Sequence, residues 1–155
     1  MDTESLLKLL NDNNVDYVII GATAFPIHGY SRSTLDVDIF IRPTRSNAVQ
    51  VRKALKDFGY DMTDVSLEEI LTRKILIRQY VIETDIHPFV KGITFDEVAK
   101  HKVKGKIGKI TSNFASLDDL IKMKEAAARP KDIDDLKYLL KLQERNALKR
   151  KDRPV

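Results

Sequence analysis

The segment Leu35-Asp36-Val37-Asp38-Ile39-Phe40-Ile41 constrains this chain more than any other stretch. Its odd positions are all apolar and two of its even positions are aspartates, and successive side chains of a strand point to opposite faces. The period predicts a half-buried strand over 35–41. Leu35, Val37, Ile39 and Ile41 then face a core, and Asp36, Asp38 and Phe40 share the less buried face. Residues two apart on a strand have Cα atoms roughly 6.5–7 Å apart, so the two carboxylates repel. A hard divalent cation beside them relieves the repulsion and accepts their oxygens as ligands. An Asp-x-Asp pair on a strand is also an ordinary pair of solvated acids, and its surroundings have to decide between the two readings.

Those surroundings read as alternating helices and strands. Leucines at 6, 7, 9 and 10 after the possible cap Thr3 predict a short amphipathic helix. Tyr17 to Ile20 is a β-branched run that stops at Gly21. Ala22 to His28 reads as helical with Gly29 just past its end. Ser46 to Phe58 has helical apolar spacing closed by Gly59, and Ser66 with Glu69 forms a capping-box pair before a short helix. Residues 74–78 and 80–87 predict two strands joined by a tight turn, with Val81, Glu83, Asp85 and His87 on one face. Phe95 to Ala99 predicts one helical turn, and Val103 to Ile110 a glycine-broken strand pair. Ser116 to Ala128 and Pro130 to Ala147 predict two closing helices, the second with Ile133, Leu136, Leu139 and Leu140 as its inward stripe. The expected fold is α+β, a small mixed β-sheet with flanking helices and C-terminal helices. A single domain over 1–155 is expected, divided into a sheet core to about 112, a helical part over 113–147 and a basic tail over 148–155.

The chain has no cysteine, so thiolate metal sites, thiol nucleophiles and disulfides are excluded, and any metal is held by oxygen or imidazole. The formal net charge of +4 is carried by residues 141–155, where six cations face only Glu144 and Asp152. Such a run complements a helix dipole, and it also offers a contact for RNA or another acidic partner. The first ten residues lack a basic region followed by a small-residue cleavage site, and no apolar run approaches membrane-spanning length. A cytoplasmic protein with no membrane contact is expected.

Upstream of the aspartates, the glycine turn at Gly21 opens a predicted helix, whose first backbone N–H groups can meet phosphate oxygens. Between this anion site and the acids lie Arg32 and Thr34. The guanidinium can neutralise phosphate or pair with one of the aspartates, and the hydroxyl lies close to the acids. His28 reads as a packed neutral histidine, and neither His87 nor His101 shows zinc-ligand spacing. Phe25, Tyr30, Phe40 and Tyr60 are too scattered to predict base stacking.

The run Gly21-Ala22-Thr23-Ala24, followed by His28-Gly29-Tyr30-Ser31-Arg32-Ser33-Thr34-Leu35-Asp36-Val37-Asp38-Ile39, resembles the signature of the nucleotidyltransferase superfamily. In that superfamily a Gly-Gly or Gly-Ser turn precedes Asp-x-Asp. The form with His-Gly and Arg-x-Thr looks most like the small stand-alone members grouped with AbiEii-type toxin nucleotidyltransferases and lincosamide-modifying enzymes. Phe114 to Leu140, with Ser116-Leu117-Asp118-Asp119-Leu120, Lys122-Met123-Lys124 and Arg129-Pro130-Lys131-Asp132, is similar to the helical C-terminal part of that group.

The resemblance implies a nucleotidyltransferase fold and transfer of a nucleoside monophosphate from an NTP to an acceptor, with release of pyrophosphate. It implies Mg²⁺ (or Mn²⁺) held by Asp36, Asp38 and a third carboxylate, matched to Asp85 with Glu83 as the alternative. Gly21, Ala22, Thr23, Arg32, Thr34 and Lys124 are the residues matched to nucleotide binding. Ala22 departs from the Gly or Ser of the motif, which leaves a second reading open: a catalytically weak nucleotide-binding or toxin–antitoxin module of the same fold. The acceptor is a small molecule, a protein or an RNA end, DNA is not expected, and a homo-oligomer or an antitoxin partner is possible.

Overall fold

The computed structural model describes residues 2–79 and 82–151. Helix α1 (Thr3–Asp12) leads into β1 (Tyr17–Ile20), two 3₁₀ turns (Gly21–Ala24 and Pro26–His28) and β2 (Asp36–Ile41). Helices α2 (Arg45–Phe58) and α3 (Leu67–Thr72) precede strands β3 (Ile75–Ile77) and β4 (Glu83–His87). Then come α4 (Phe95–His101), the hairpin β5 (Val103–Ile107) and β6 (Ile110–Phe114), α5 (Leu117–Ala127), a 3₁₀ turn (Pro130–Asp132) and α6 (Ile133–Lys151). The predicted start of the fourth strand at 80–81 and the tail beyond Lys151 lie outside the described residues.

The strands form one mixed sheet in the order β3-β4-β2-β1-β6-β5. β1 runs antiparallel to β2 and parallel to β6, while β2 runs parallel to β4. With helices on the sheet and at the C-terminal end, the α+β class read from the sequence is the class observed. No described helix is long and apolar enough to cross a membrane.

Local chemistry sets most boundaries. Asp2, not Thr3, caps α1 by accepting from Ser5 N. Ser66 and Glu69 form the expected capping box of α3. Gly59 ends α2 at φ 113, a left-handed backbone that glycine adopts without a Cβ clash. The segment expected as one helix over 22–28 is a pair of tighter 3₁₀ turns split at Phe25, with Pro26 opening the second.

The half-buried expectation for residues 35–41 is corrected on both sides. Leu35 is 73% exposed and precedes β2, whereas Phe40, expected on the less buried face, is 1% exposed. α4 covers that end of the strand, and Phe95 meets the Phe40 ring edge-on at a centroid distance of 5.4 Å. Only Asp36 and Asp38 of β2 are partly open. The inward stripe of α6 is also corrected. Leu139 is fully buried, but Ile133 and Leu140 are exposed, and the inward positions nearer the helix start belong to Asp135 and, in the preceding turn, Asp132. Buried carboxylates at those positions need cations to meet them, and the cations come from elsewhere in the fold.

Candidate active site

In the parallel ladder of β2 and β4, Asp36 lies opposite Glu83, Asp38 opposite Asp85 and Phe40 opposite His87. Paired residues of adjacent strands project to the same face, so four acids and an imidazole gather on one side of the sheet. Asp38, Asp85 and His87 each offer a ligand atom, all within 4.8 Å of one another. His87 Nε2 stands 2.8 Å from Asp38 Oδ1. Asp36 lies outside this triplet and meets Glu83 instead, whose carboxyl is pushed above its ordinary pKa by the contact. Of the two acids matched to the third position, Asp85 joins Asp38 and Glu83 joins Asp36.

Cations surround both acids. Burial pushes the Asp38 carboxyl up, but the hydrogen bond and charge of His87, with Lys74 and Lys124 nearby, hold it below the ordinary carboxylate range. Asp85 is 4% exposed and receives Arg78 Nη1 at 2.6 Å, with Lys74 Nζ at 3.9 Å. Arg78 Nε also lies 3.4 Å from Glu83.

The first strand ends against this cluster. Gly21 has φ +70, and a Cβ there would fall 2.6 Å from Asp38 Oδ2, so backbone conformation and space both require glycine. Gly21 and Ala22 line a cavity that also includes Thr34, Asp36, Asp38 and Asp85. Thr23 does not line it: its hydroxyl donates to the Asp36 carbonyl at 3.0 Å and braces the start of β2. Thr34 makes the same brace from the other side, donating to Asp36 O at 3.3 Å and accepting from Asp36 N at 3.2 Å.

Arg32 does pair with an aspartate, though with neither of those in the motif. Its Nε and Nη2 donate to Asp135 Oδ1 and Oδ2 at 2.7 and 2.9 Å, a bidentate pair between the β1–β2 connection and α6. Tyr30 OH donates to Asp135 at 3.0 Å. Lys124, whose side chain is 13% exposed, donates to Asp132 at 2.8 Å and lies 3.4 Å from Asp135. Arg129 completes the group with Nε 2.8 Å from Asp132. Burial opposes ionisation of both acids, yet these hydrogen-bonded cations win and hold Asp132 and Asp135 below the ordinary carboxylate range. Arg32 and Lys124 also stand 5.7 Å from the centre of the Phe25 ring.

The cavity between the sheet and α5–α6 has a volume of about 1340 Å³. Small-ligand sites usually occupy roughly 300–1,000 Å³, so this one has room for a nucleotide and part of a second reactant. Its lining mixes charge on both sides: Asp38 and Asp85 stand with Lys74 and Arg78, and Arg32, Lys124 and Arg129 stand with Asp132 and Asp135. His28 is held as a structural group, its Nε2 2.9 Å from Ala115 O.

Sequence reasoning missed His87, Arg78, Asp132, Asp135 and Tyr138. Spacing along the chain could not bring His87 to Asp38, because the two meet through strand pairing. Tyr138 stacks on Tyr30 at 4.8 Å, and Tyr30 stacks on Phe25 at 5.3 Å. The scattered aromatics at 25 and 30 therefore belong to one ladder.

The family described as "Nucleotidyl transferase of unknown function (DUF2204)" matches residues 1–154. No curated protein gives a match.

Proposed function

The chain belongs to this DUF2204 family of nucleotidyl transferases, and from that premise we propose that it transfers a nucleoside monophosphate from an NTP to an acceptor and releases pyrophosphate, using Mg²⁺ (or Mn²⁺). The observation that carries this reading is the pairing of Asp38 with Asp85 across adjacent strands, against the Gly21 bend. The donor set fits a divalent cation: two buried or half-buried carboxylates and an imidazole at ligand spacing, with Asp38 kept ionised. Asp38 and Asp85 would hold it, with Asp36 beside them. When bound, such a cation supplies charge that stabilises the entering and leaving oxygens of an in-line displacement.

The remaining work falls to the chain itself. Gly21 and Ala22 bring backbone to within reach of the acids, close enough for N–H groups to meet phosphate oxygens. Lys124, Arg32 and Arg129 line the same cavity already paired with Asp132 and Asp135, so a triphosphate would share their donors with those acids. Thr34 and Thr23 fix the backbone from which Asp36 projects. His87 orients the Asp38 carboxylate through its 2.8 Å contact.

A second reading keeps the fold and the nucleotide but loses efficient turnover, as a toxin–antitoxin or regulatory module in the cytoplasm. Ala22 in place of Gly or Ser favours it, as does the Arg78 guanidinium bound to Asp85. Incubating purified protein with each labelled NTP and Mg²⁺, with and without cell extract, distinguishes the two. Label on an acceptor, lost in Asp38→Asn, supports transfer. Metal-dependent NTP binding without transfer supports the module, and neither binding nor transfer overturns both.

A further inference from the structure

Helix α6 carries a ridge of cations that leads out of the cavity. Lys137, Lys141, Arg145 and Lys149 follow one another at i, i+4 spacing, which places them along one face of the helix over roughly 18 Å. All four are exposed, and none meets a carboxylate at ion-pair distance among the described residues. Lys137 and Lys141 line the cavity wall, so the ridge begins inside the site and ends in solvent. A helix dipole accounts for cations only in the last turn. It explains Lys149, but not Lys137 or Lys141, which lie well before the last turn.

At the inner end of the ridge stands Tyr138. One side of its ring stacks on Tyr30, with 12° between planes, yet the residue is 53% exposed and lines the cavity. Lys141 Nζ lies 5.8 Å from the ring centre, at the outer limit of a cation–π contact, and can turn to an anion instead. A rigid, backed and exposed aromatic beside a row of unpaired cations has the two parts of a single-strand nucleic acid site, a stacking platform and an electrostatic track.

We propose that the acceptor is the 3′ end of a single nucleic acid strand, with its last base on Tyr138 and its phosphates along Lys141, Arg145 and Lys149. This rests on the transferase reading above and names its substrate class. The terminal 3′ oxygen bonds to the α-phosphorus of the NTP as its proton leaves to solvent. The bond between the α-phosphorus and the bridging oxygen breaks, and pyrophosphate departs with that electron pair.

The test measures binding of the full chain to a fluorescent ten-nucleotide RNA and to its DNA counterpart by anisotropy, over a range of salt, without nucleotide or metal. The wild type is expected to bind at least one of them, and the comparison shows which sugar it takes. Lys141→Gln/Arg145→Gln is expected to reduce the slope of log affinity against log salt by about 0.7 for each cation removed. Tyr138→Ala is expected to weaken binding by roughly five- to a hundredfold with the slope unchanged, and Tyr138→Phe to restore it. Equal affinity of Tyr138→Ala and wild type, or an unchanged slope in the double variant, overturns the proposal. So does label transfer to a protein or small molecule with no strand binding, an outcome that leaves the transferase reading standing. Strand binding with these variant effects, but no transfer from any NTP, overturns the transferase reading and leaves the strand site in place.

Discussion

Arg32 and Asp135 are 103 residues apart in the chain and share two hydrogen bonds, so the loop before β2 is fastened to the last helix. The pair also explains how α6 can bury an acid: Asp135 is 3% exposed but has Arg32, Tyr30 and Lys124 around it.

Asp135→Ala leaves that guanidinium, hydroxyl and ammonium without their shared acceptor. A loss of roughly 1–3 kcal/mol is expected in urea unfolding. The figure sits toward the low end because the Arg32 side chain is 41% exposed and solvent screens its charge. Lys124→Met in the same background is expected to deepen the loss, because buried Asp132 then keeps only Arg129 as its cation. No change in either variant would mean the network contributes nothing to stability.

Acid is expected to weaken the fold through the same carboxylates. Asp132 and Asp135 are held below their ordinary value of 3.8, so the folded state keeps them ionised where the unfolded chain already takes up protons. Their stabilisation is full above the unfolded value and is lost progressively as pH falls from about 5 toward 2. Melting temperature against pH in wild type and in Asp132→Asn/Asp135→Asn checks this: the variant curve should be flatter over that range.

Gly21→Ala is expected to damage the site more than the fold. The added methyl meets the Asp38 carboxylate, and the backbone takes a left-handed conformation unfavourable to alanine. Roughly 1–2 kcal/mol of stability should be lost. Mn²⁺ affinity should fall by more than the stability change accounts for, because Asp38 has to move. Unaltered Mn²⁺ titration would show that the bend does not position that acid.

Removing ligands should separate holders from positioners. Asp38→Asn and Asp85→Asn are expected to abolish saturable Mn²⁺ binding, followed by electron paramagnetic resonance of the free ion. His87→Ala is expected to weaken it by about 10- to 100-fold, the usual cost of losing a group that orients a ligand. Equal loss in all three would make His87 a ligand in its own right.

The parts of this site that follow local rules were readable from the chain. The alternation around Asp36 and Asp38, the glycine stop at Gly21 and the cap at Ser66 each depend on neighbours in sequence, and each is found in the fold. The family resemblance points to Asp85 with Glu83 as the alternative, and the register with β2 sets Asp85 opposite Asp38 and Glu83 opposite Asp36. What could not be read depends on distant partners. Apolar periodicity turned Ile133 and Leu140 of α6 inward, whereas the inward places nearer its start go to Asp132 and Asp135 because Lys124, Arg32 and Arg129 converge there. The phase Phe40 shares with Asp36 and Asp38 places it on the less buried face, but α4 covers it.

The ladder between β2 and β4 behaves like a reading frame for the site. Shifting either strand by one residue would turn Asp38 or Asp85 into the packed layer and bring Val37, Thr84 or Ile86 into the cavity. A single residue added just before Asp85 would move Asp85 and His87 off the face they share with Asp38.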